Sequence, residues 1–119
     1  MKTAIVVAIA MVTAAHAAAS SPNGEWSGRY SNDQASGDLW VRVGNANGAW
    51  SASVKATSEY VANPQFQPAS DVRVSGDTVS FTLSWGTPVR WLGVVRGDSL
   101  IGTLTADHWS GTFRAARSK

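Results

Sequence analysis

From Pro22 onward no stretch of the chain keeps a helical period. Runs of alternating apolar and polar residues are cut by turn residues at roughly ten-residue spacing, the pattern of an all-β sandwich or barrel. Eight strands are expected: Gly24–Ser31, Asp38–Gly44, Ala49–Ala56, Asp71–Ser75, Thr78–Trp85, Val89–Val95, Ser99–Thr105 and His108–Ala115. Every connection is short except Thr57 to Ser70. Short links between successive strands make hairpins, hence an antiparallel up-and-down meander. About eight such strands close into a small barrel, which removes open sheet edges.

One unit of this pattern occurs twice. "VSGDTVSFTL" begins at Val74, and "VRGDSLIGTL" begins at Val95. The second copy contains Arg96-Gly97-Asp98, the tripeptide that integrins read. It also contains Gly97-Asp98-Ser99-Leu100, the nucleophile block of a family of esterases. Both matches are explained by the turn itself. Glycine accepts positive φ and aspartate bonds its own backbone, so Gly-Asp suits a two-residue hairpin turn. The first copy builds the same turn with Ser75 in place of the arginine.

Catalytic and metal chemistry find no support elsewhere. A serine nucleophile of this type needs a strand-to-helix turn and an activating histidine, whereas Ser99 starts a hairpin strand and His108 directly follows Asp107. One histidine beyond the leader and no cysteine leave no zinc set. Asp38, Asp71, Asp77, Asp98 and Asp107 stand singly at turns, not as an acid/base pair. No enzymatic activity, metal or cofactor is expected.

The strands share a large-x-small-x-large motif: Trp26-x-Gly28-x-Tyr30, Trp50-x-Ala52-x-Val54, Trp91-x-Gly93-x-Val95, Leu100-x-Gly102-x-Leu104 and Trp109-x-Gly111-x-Phe113. Alternate residues share a strand face, and the intervening positions are mainly polar, so the motif faces inward. A Gly97-Asp98 turn sets Val95 opposite Leu100, Gly93 opposite Gly102 and Trp91 opposite Leu104. An Ala106-Asp107 turn sets Leu104 opposite Trp109 and Gly102 opposite Gly111. A loop at Gly86–Pro88 sets Leu83 opposite Trp91 and Phe81 opposite Gly93. If the last strand pairs with the first, Gly111 faces Gly28. The expectation is a band of interior glycines crossing four strands. It has two readings: sharp bending that closes a small barrel, or room for a ligand against an aromatic wall. Tyr30, Trp50, Phe81, Trp91 and Trp109 are the candidate ligand-binding residues, and their chemistry suits a small apolar or aromatic ligand.

The outward face offers a second candidate. Val94 and Ile101 should pair across neighbouring strands beside Leu92, and Trp40 shares its face with Asp38 and Arg42. Three readings stand for these four residues: the loop "TSEYVANPQFQPAS" folds over them, they form a surface for a protein partner or self-association, or they make no coherent patch. That loop is equally suited to act as a lid over one barrel mouth.

The chain opens with Lys2, an apolar run from Thr3 to Ala15 of about a dozen residues, and Ala15-His16-Ala17, which together read as a secretory signal peptide cleaved after Ala17. The run is too short to cross a ~30 Å hydrocarbon core, so no membrane insertion is expected. The expected organisation is a signal peptide at 1–17, a lead-in at 18–23 and one barrel domain at 24–117, exported to the periplasm or secreted. Ten basic side chains stand against eight acidic ones, closer still once Lys2 leaves with the leader. That balance gives nucleic acid no basic patch to recognise.

Gly24-Glu25-Trp26 on the first strand, with Arg114 and Arg117 at the end of the last, resembles the calycin pattern of lipocalins and avidins. The resemblance implies that Trp26 packs at the closed end of the barrel with Arg114 or Arg117 lying across it. Ser27-Gly28-Arg29-Tyr30 stands where avidins place the polar cluster that holds biotin. The rhythm "VSGDTVSFTL … VVRGDSLIGTL … WSGTF" is also similar to small β-domains of exported bacterial proteins.

Overall fold

The computed structural model describes residues 21–58 and 63–118. The expected leader with its expected cleavage site at Ala17, and the loop residues Tyr60 and Val61, lie outside the described residues. Within them the chain is all-β, with nine strands: β1 (Gly24–Asn32), β2 (Ser36–Ala46), β3 (Ala49–Ala56), β4 (Gln67–Pro68), β5 (Ser70–Ser75), β6 (Thr78–Ser84), β7 (Pro88–Arg96), β8 (Ser99–Thr105) and β9 (Ser110–Arg117). They form one antiparallel sheet in the order β4-β3-β2-β1-β9-β8-β7-β6-β5. The eight expected strands are present, and the two-residue β4 is the addition.

β4 explains how the sheet nearly closes. Gln67 and Pro68 pair with Val54 and Ser53 of β3, and the Ala69 amide donates to the Ala52 carbonyl at 2.8 Å. From Ser70 the same extended segment pairs with β6 instead. The handover occurs at a bulge between Ser70 and Arg73, where Asp71 has a φ of +55°. One stretch of chain thus spans the seam between the two sheet edges, leaving neither as a free template for pairing.

The two Gly-Asp units are the same turn built twice. Gly76 and Gly97 have φ of +60° and +61°. The Asp77 carbonyl accepts from the Val95 amide at 2.9 Å, and the Asp98 carbonyl accepts from the Arg117 amide at 2.8 Å. Each aspartate thereby ties its hairpin to the following strand, which accounts for the repeat without a receptor or a nucleophile.

Burial alternates as the inward motif requires. Trp26, Tyr30, Ala52, Val54, Phe81, Trp91, Val95, Leu100, Leu104 and Phe113 are buried, and no polar or charged side chain is buried with them among the described residues. The β7–β8 register also holds: Trp91 faces Leu104, Gly93 faces Gly102 and Val95 faces Leu100.

Three other registers differ by two or four residues, shifts that preserve the inward face. Phe81 faces Trp91 and Leu83 faces Val89, because Pro88 opens β7 opposite Ser84 and the loop is Trp85–Thr87. A proline suits the first residue of a strand, where its missing N–H is least needed. Gly102 faces Phe113 and Leu104 faces Gly111. The Ala106-Asp107 pair contains no glycine or asparagine to form the tight turn, so the connection runs from Ala106 to Trp109, closed by the Ala106 amide on the Trp109 carbonyl at 2.9 Å. Gly28 then faces Ala115, and Gly111 faces Asn32. The expected four-strand glycine band is therefore only the Gly93–Gly102 pair, with Gly28 and Gly111 in separate rows.

Interior glycines serve backbone approach. A Cβ on Gly28 would land on the Arg114 carbonyl, and one on Gly102 on the Leu92 carbonyl. Neighbouring backbone already fills that space, which favours bending and closure over ligand room at these positions.

The end of the barrel where Pro22 and Arg117 meet Trp26 is closed over that ring. Trp26 is fully buried, and its indole N–H donates to the Pro22 carbonyl at 2.9 Å. The Arg117 guanidinium lies across its ring at 4.2 Å. Arg114 instead stands outward, opposite Ile101 and Arg29.

Candidate functional site

The opposite end of the barrel is open. Between the β6–β7 loop and the segment leading into β4 lies a cavity of about 560 Å³. Tyr30 and Trp85 form its aromatic wall, and Asn63, Gln65, Gln67, Thr57 and Ser58 supply amides and hydroxyls. None of the described lining residues is charged. The mouth thus sets an aromatic wall against a rim of neutral polar groups that can fix a ligand's orientation.

The wall is fixed by Tyr30. Its hydroxyl donates to the Thr57 carbonyl at 2.6 Å, and the Thr57 hydroxyl accepts from the Asp38 amide at 2.8 Å. The phenol is therefore held against the start of the long loop. Burial raises the Tyr30 pKa above its ordinary value of 10.0, so the hydroxyl stays a neutral donor at physiological pH.

Behind the wall the aromatic rings are continuous. Trp85 lies 5.4 Å from Tyr30, 5.4 Å from Trp91 at an interplanar angle of 83°, and 6.4 Å from Trp109. Trp91 stacks on Phe81 at 5.6 Å and meets Phe113 at 5.2 Å. The barrel centre is filled by these side chains.

The candidate residues read from sequence separate accordingly. Tyr30 lines the cavity. Phe81 and Trp91 are buried beneath it, only 4% and 1% exposed. Trp109 backs the wall through Trp85. Trp50 sits opposite Asn45, beside the Asn47-Gly48 turn at the closed end, and is not part of this cluster. Trp85 is the residue that sequence reasoning missed. Its signal was present in Ser84-Trp85-Gly86: a large aromatic at a strand end beside a glycine that adopts a φ of +78°.

The outer candidates also separate. Val94 pairs directly with Ile101, and Leu92 is 49% exposed. Trp40 lies on β2, with β1 and β9 between it and Ile101 on β8. The Lys55 ammonium lies 4.6 Å from the Trp40 ring and 5.1 Å from Phe66, and the Arg42 guanidinium lies 3.8 Å from Phe66. The long loop therefore covers the β2–β3 face through Phe66.

Among the described residues no three His, Cys, Asp or Glu side chains form a metal-binding group. No protein-family model, curated protein or solved structure matches this chain.

Proposed function

We propose that this protein is an exported, non-enzymatic β-barrel binding module that takes a small apolar or aromatic ligand at its open mouth. The observation that carries the reading is the cavity of about 560 Å³ walled by Tyr30 and Trp85. Its volume falls within the roughly 300–1,000 Å³ of small-molecule sites. The described lining residues are uncharged, which suits a neutral ligand, with ring stacking on the wall and hydrogen bonds at the amide rim. One closed end and one open mouth, with Trp26 beneath Arg117, support a calycin-like assignment of the barrel. Export rests on the leader sequence and its Ala15-His16-Ala17 site.

Native mass spectrometry of protein secreted by its own leader and purified without denaturation tests both parts. The expected result is a chain beginning at Ala18 that carries an additional small-molecule mass. A chain retaining Met1 in the cell would refute export. A bare chain that also takes up no member of an aromatic ligand panel would refute binding.

A second reading makes the module a protein-interaction domain. It is favoured by the exposed Leu92 beside the Val94–Ile101 pair. Trp40 would then belong to a separate surface.

A further inference from the structure

The mouth cavity abuts a ring that is poorly tied to the barrel. Trp85 lies outside the β6 ladder, which ends with Ser84 opposite Pro88. Its backbone amide reaches only the Thr87 carbonyl, at 3.0 Å, within the same loop. The next residue, Gly86, has a φ of +78°, and a Cβ added there would meet nothing within 4 Å. The Trp85–Thr87 loop thus has free space on the Gly86 side. The Trp85 side chain nevertheless fills a slot made by Tyr30, Trp91 and Trp109.

Within the ring cluster on which Trp85 packs, one polar atom is left over. Trp91 Nε1 is buried and has no hydrogen-bond partner among the described residues. The rings packed on Trp91 are Phe81, Trp85 and Phe113, and none of them carries an acceptor lone pair. A buried donor left unpaired is unfavourable, and native structures rarely keep one without a reason. Whatever replaced the Trp85 ring would take its place against Trp91.

We propose that Trp85 is a displaceable plug, and that the ligand is a planar aromatic molecule with a ring-edge acceptor that takes the plug's slot between Tyr30, Trp91 and Trp109 and accepts a hydrogen bond from Trp91 Nε1. This rests on the reading of the mouth as a ligand site and names the ligand chemistry of that site. The plug keeps the slot dry when empty, and its exit on the Gly86 side opens the aromatic floor. The acceptor supplies selectivity, because a purely hydrocarbon ring gains the stacking but leaves Trp91 Nε1 unpaired.

Quinoline, with one ring nitrogen, and naphthalene, without one, serve as probes in calorimetric titrations. Removing the plug by Trp85→Ala eliminates three ring contacts that a ligand must otherwise break, so quinoline should bind at least about tenfold tighter than to the unaltered protein. In Trp91→Phe the preference for quinoline over naphthalene should fall about fivefold, with naphthalene affinity little changed. Should Trp85→Ala not fold, hydroxyl-radical footprinting of the unaltered protein gives the same answer: Trp85 should oxidise faster at saturating quinoline. Weaker or equal quinoline binding by Trp85→Ala, or slower Trp85 oxidation on binding, overturns the plug and leaves the mouth as a site with Trp85 as a fixed wall. An unchanged probe preference in Trp91→Phe overturns the acceptor. No binding of either probe to any variant overturns the proposal together with the mouth reading.

Discussion

Arg117 lies 4.2 Å above the Trp26 ring while its guanidinium nitrogens donate to the Asn23 carbonyl at 2.8 Å and the Ser21 carbonyl at 3.0 Å. One side chain from the last strand thus clamps both the first strand and the segment ahead of it. The indole, itself bonded to the Pro22 carbonyl, is fully enclosed. The clamp explains why this end of the barrel is closed over Trp26.

The clamp should be measurable in chemical denaturation. Arg117→Ala is expected to lower stability by about 1–2 kcal/mol through the lost cation–π contact and hydrogen bonds. Arg114→Ala, on the exposed side of the same strand, should change it by less than about 0.5 kcal/mol. A double-mutant cycle of Arg117→Ala with Trp26→Phe should return a coupling of about 0.5–1 kcal/mol. Equal effects of the two arginine substitutions would contradict the clamp.

The interior glycines give a graded prediction. Gly102→Ala and Gly28→Ala place a methyl group on a neighbouring backbone carbonyl, and each should destabilise by at least about 2 kcal/mol. Gly93→Ala meets only the Leu100 and Phe113 side chains, at 3.1 Å, and should have a smaller effect because rotamers can yield. Thermal unfolding of the three variants ranks them. A Gly93 variant as damaged as the other two would contradict the bending account.

Tyr30 should leave a signature at alkaline pH. Its pKa is raised in the folded chain by burial, and donation to the Thr57 carbonyl acts in the same direction. Between the unfolded and folded pKa values the native state holds the proton that the unfolded state has lost. Stability is therefore intact below pH about 10 and falls as pH rises through the folded pKa. Tyr30→Phe should be about 1 kcal/mol less stable at neutral pH, because the Thr57 carbonyl loses its partner. It should also decline less steeply above pH 10, as followed by urea unfolding across the alkaline range. Parallel declines would show that Tyr30 is not the group responsible.

How far the sequence could be read depended on turn chemistry. The Gly-Asp turns at Gly76 and Gly97 carry their own register, so the β7–β8 pairing was fully legible. The Ala106–Trp109 connection contains no residue that forces a particular turn, and its register could not be derived from the turn residues. β4 was illegible for another reason: Gln67-Pro68 has neither alternation nor a favourable strand proline, and it pairs only because closing the barrel leaves β3 an open edge. For the site, two-residue alternation identified Tyr30, Phe81 and Trp91 as inward-facing. It could not say at which end each ring lies, so Trp50 was grouped with residues at the other end. Trp85 escaped because its position depends on a loop, where alternation no longer applies.

The mouth cavity is tested most directly by filling it. Ala56 lines the cavity from the end of β3, and Ala56→Phe introduces a ring where the ligand should sit. Intrinsic tryptophan fluorescence titrated with small neutral aromatic ligands should respond saturably in the unaltered protein, because the Trp85 indole lines the cavity and its surroundings change on binding. The response should fall by at least tenfold in affinity in Ala56→Phe, with the far-ultraviolet circular dichroism unchanged. No saturable response from the unaltered protein, or an equal response from a folded Ala56→Phe variant, would contradict a ligand site at the barrel mouth.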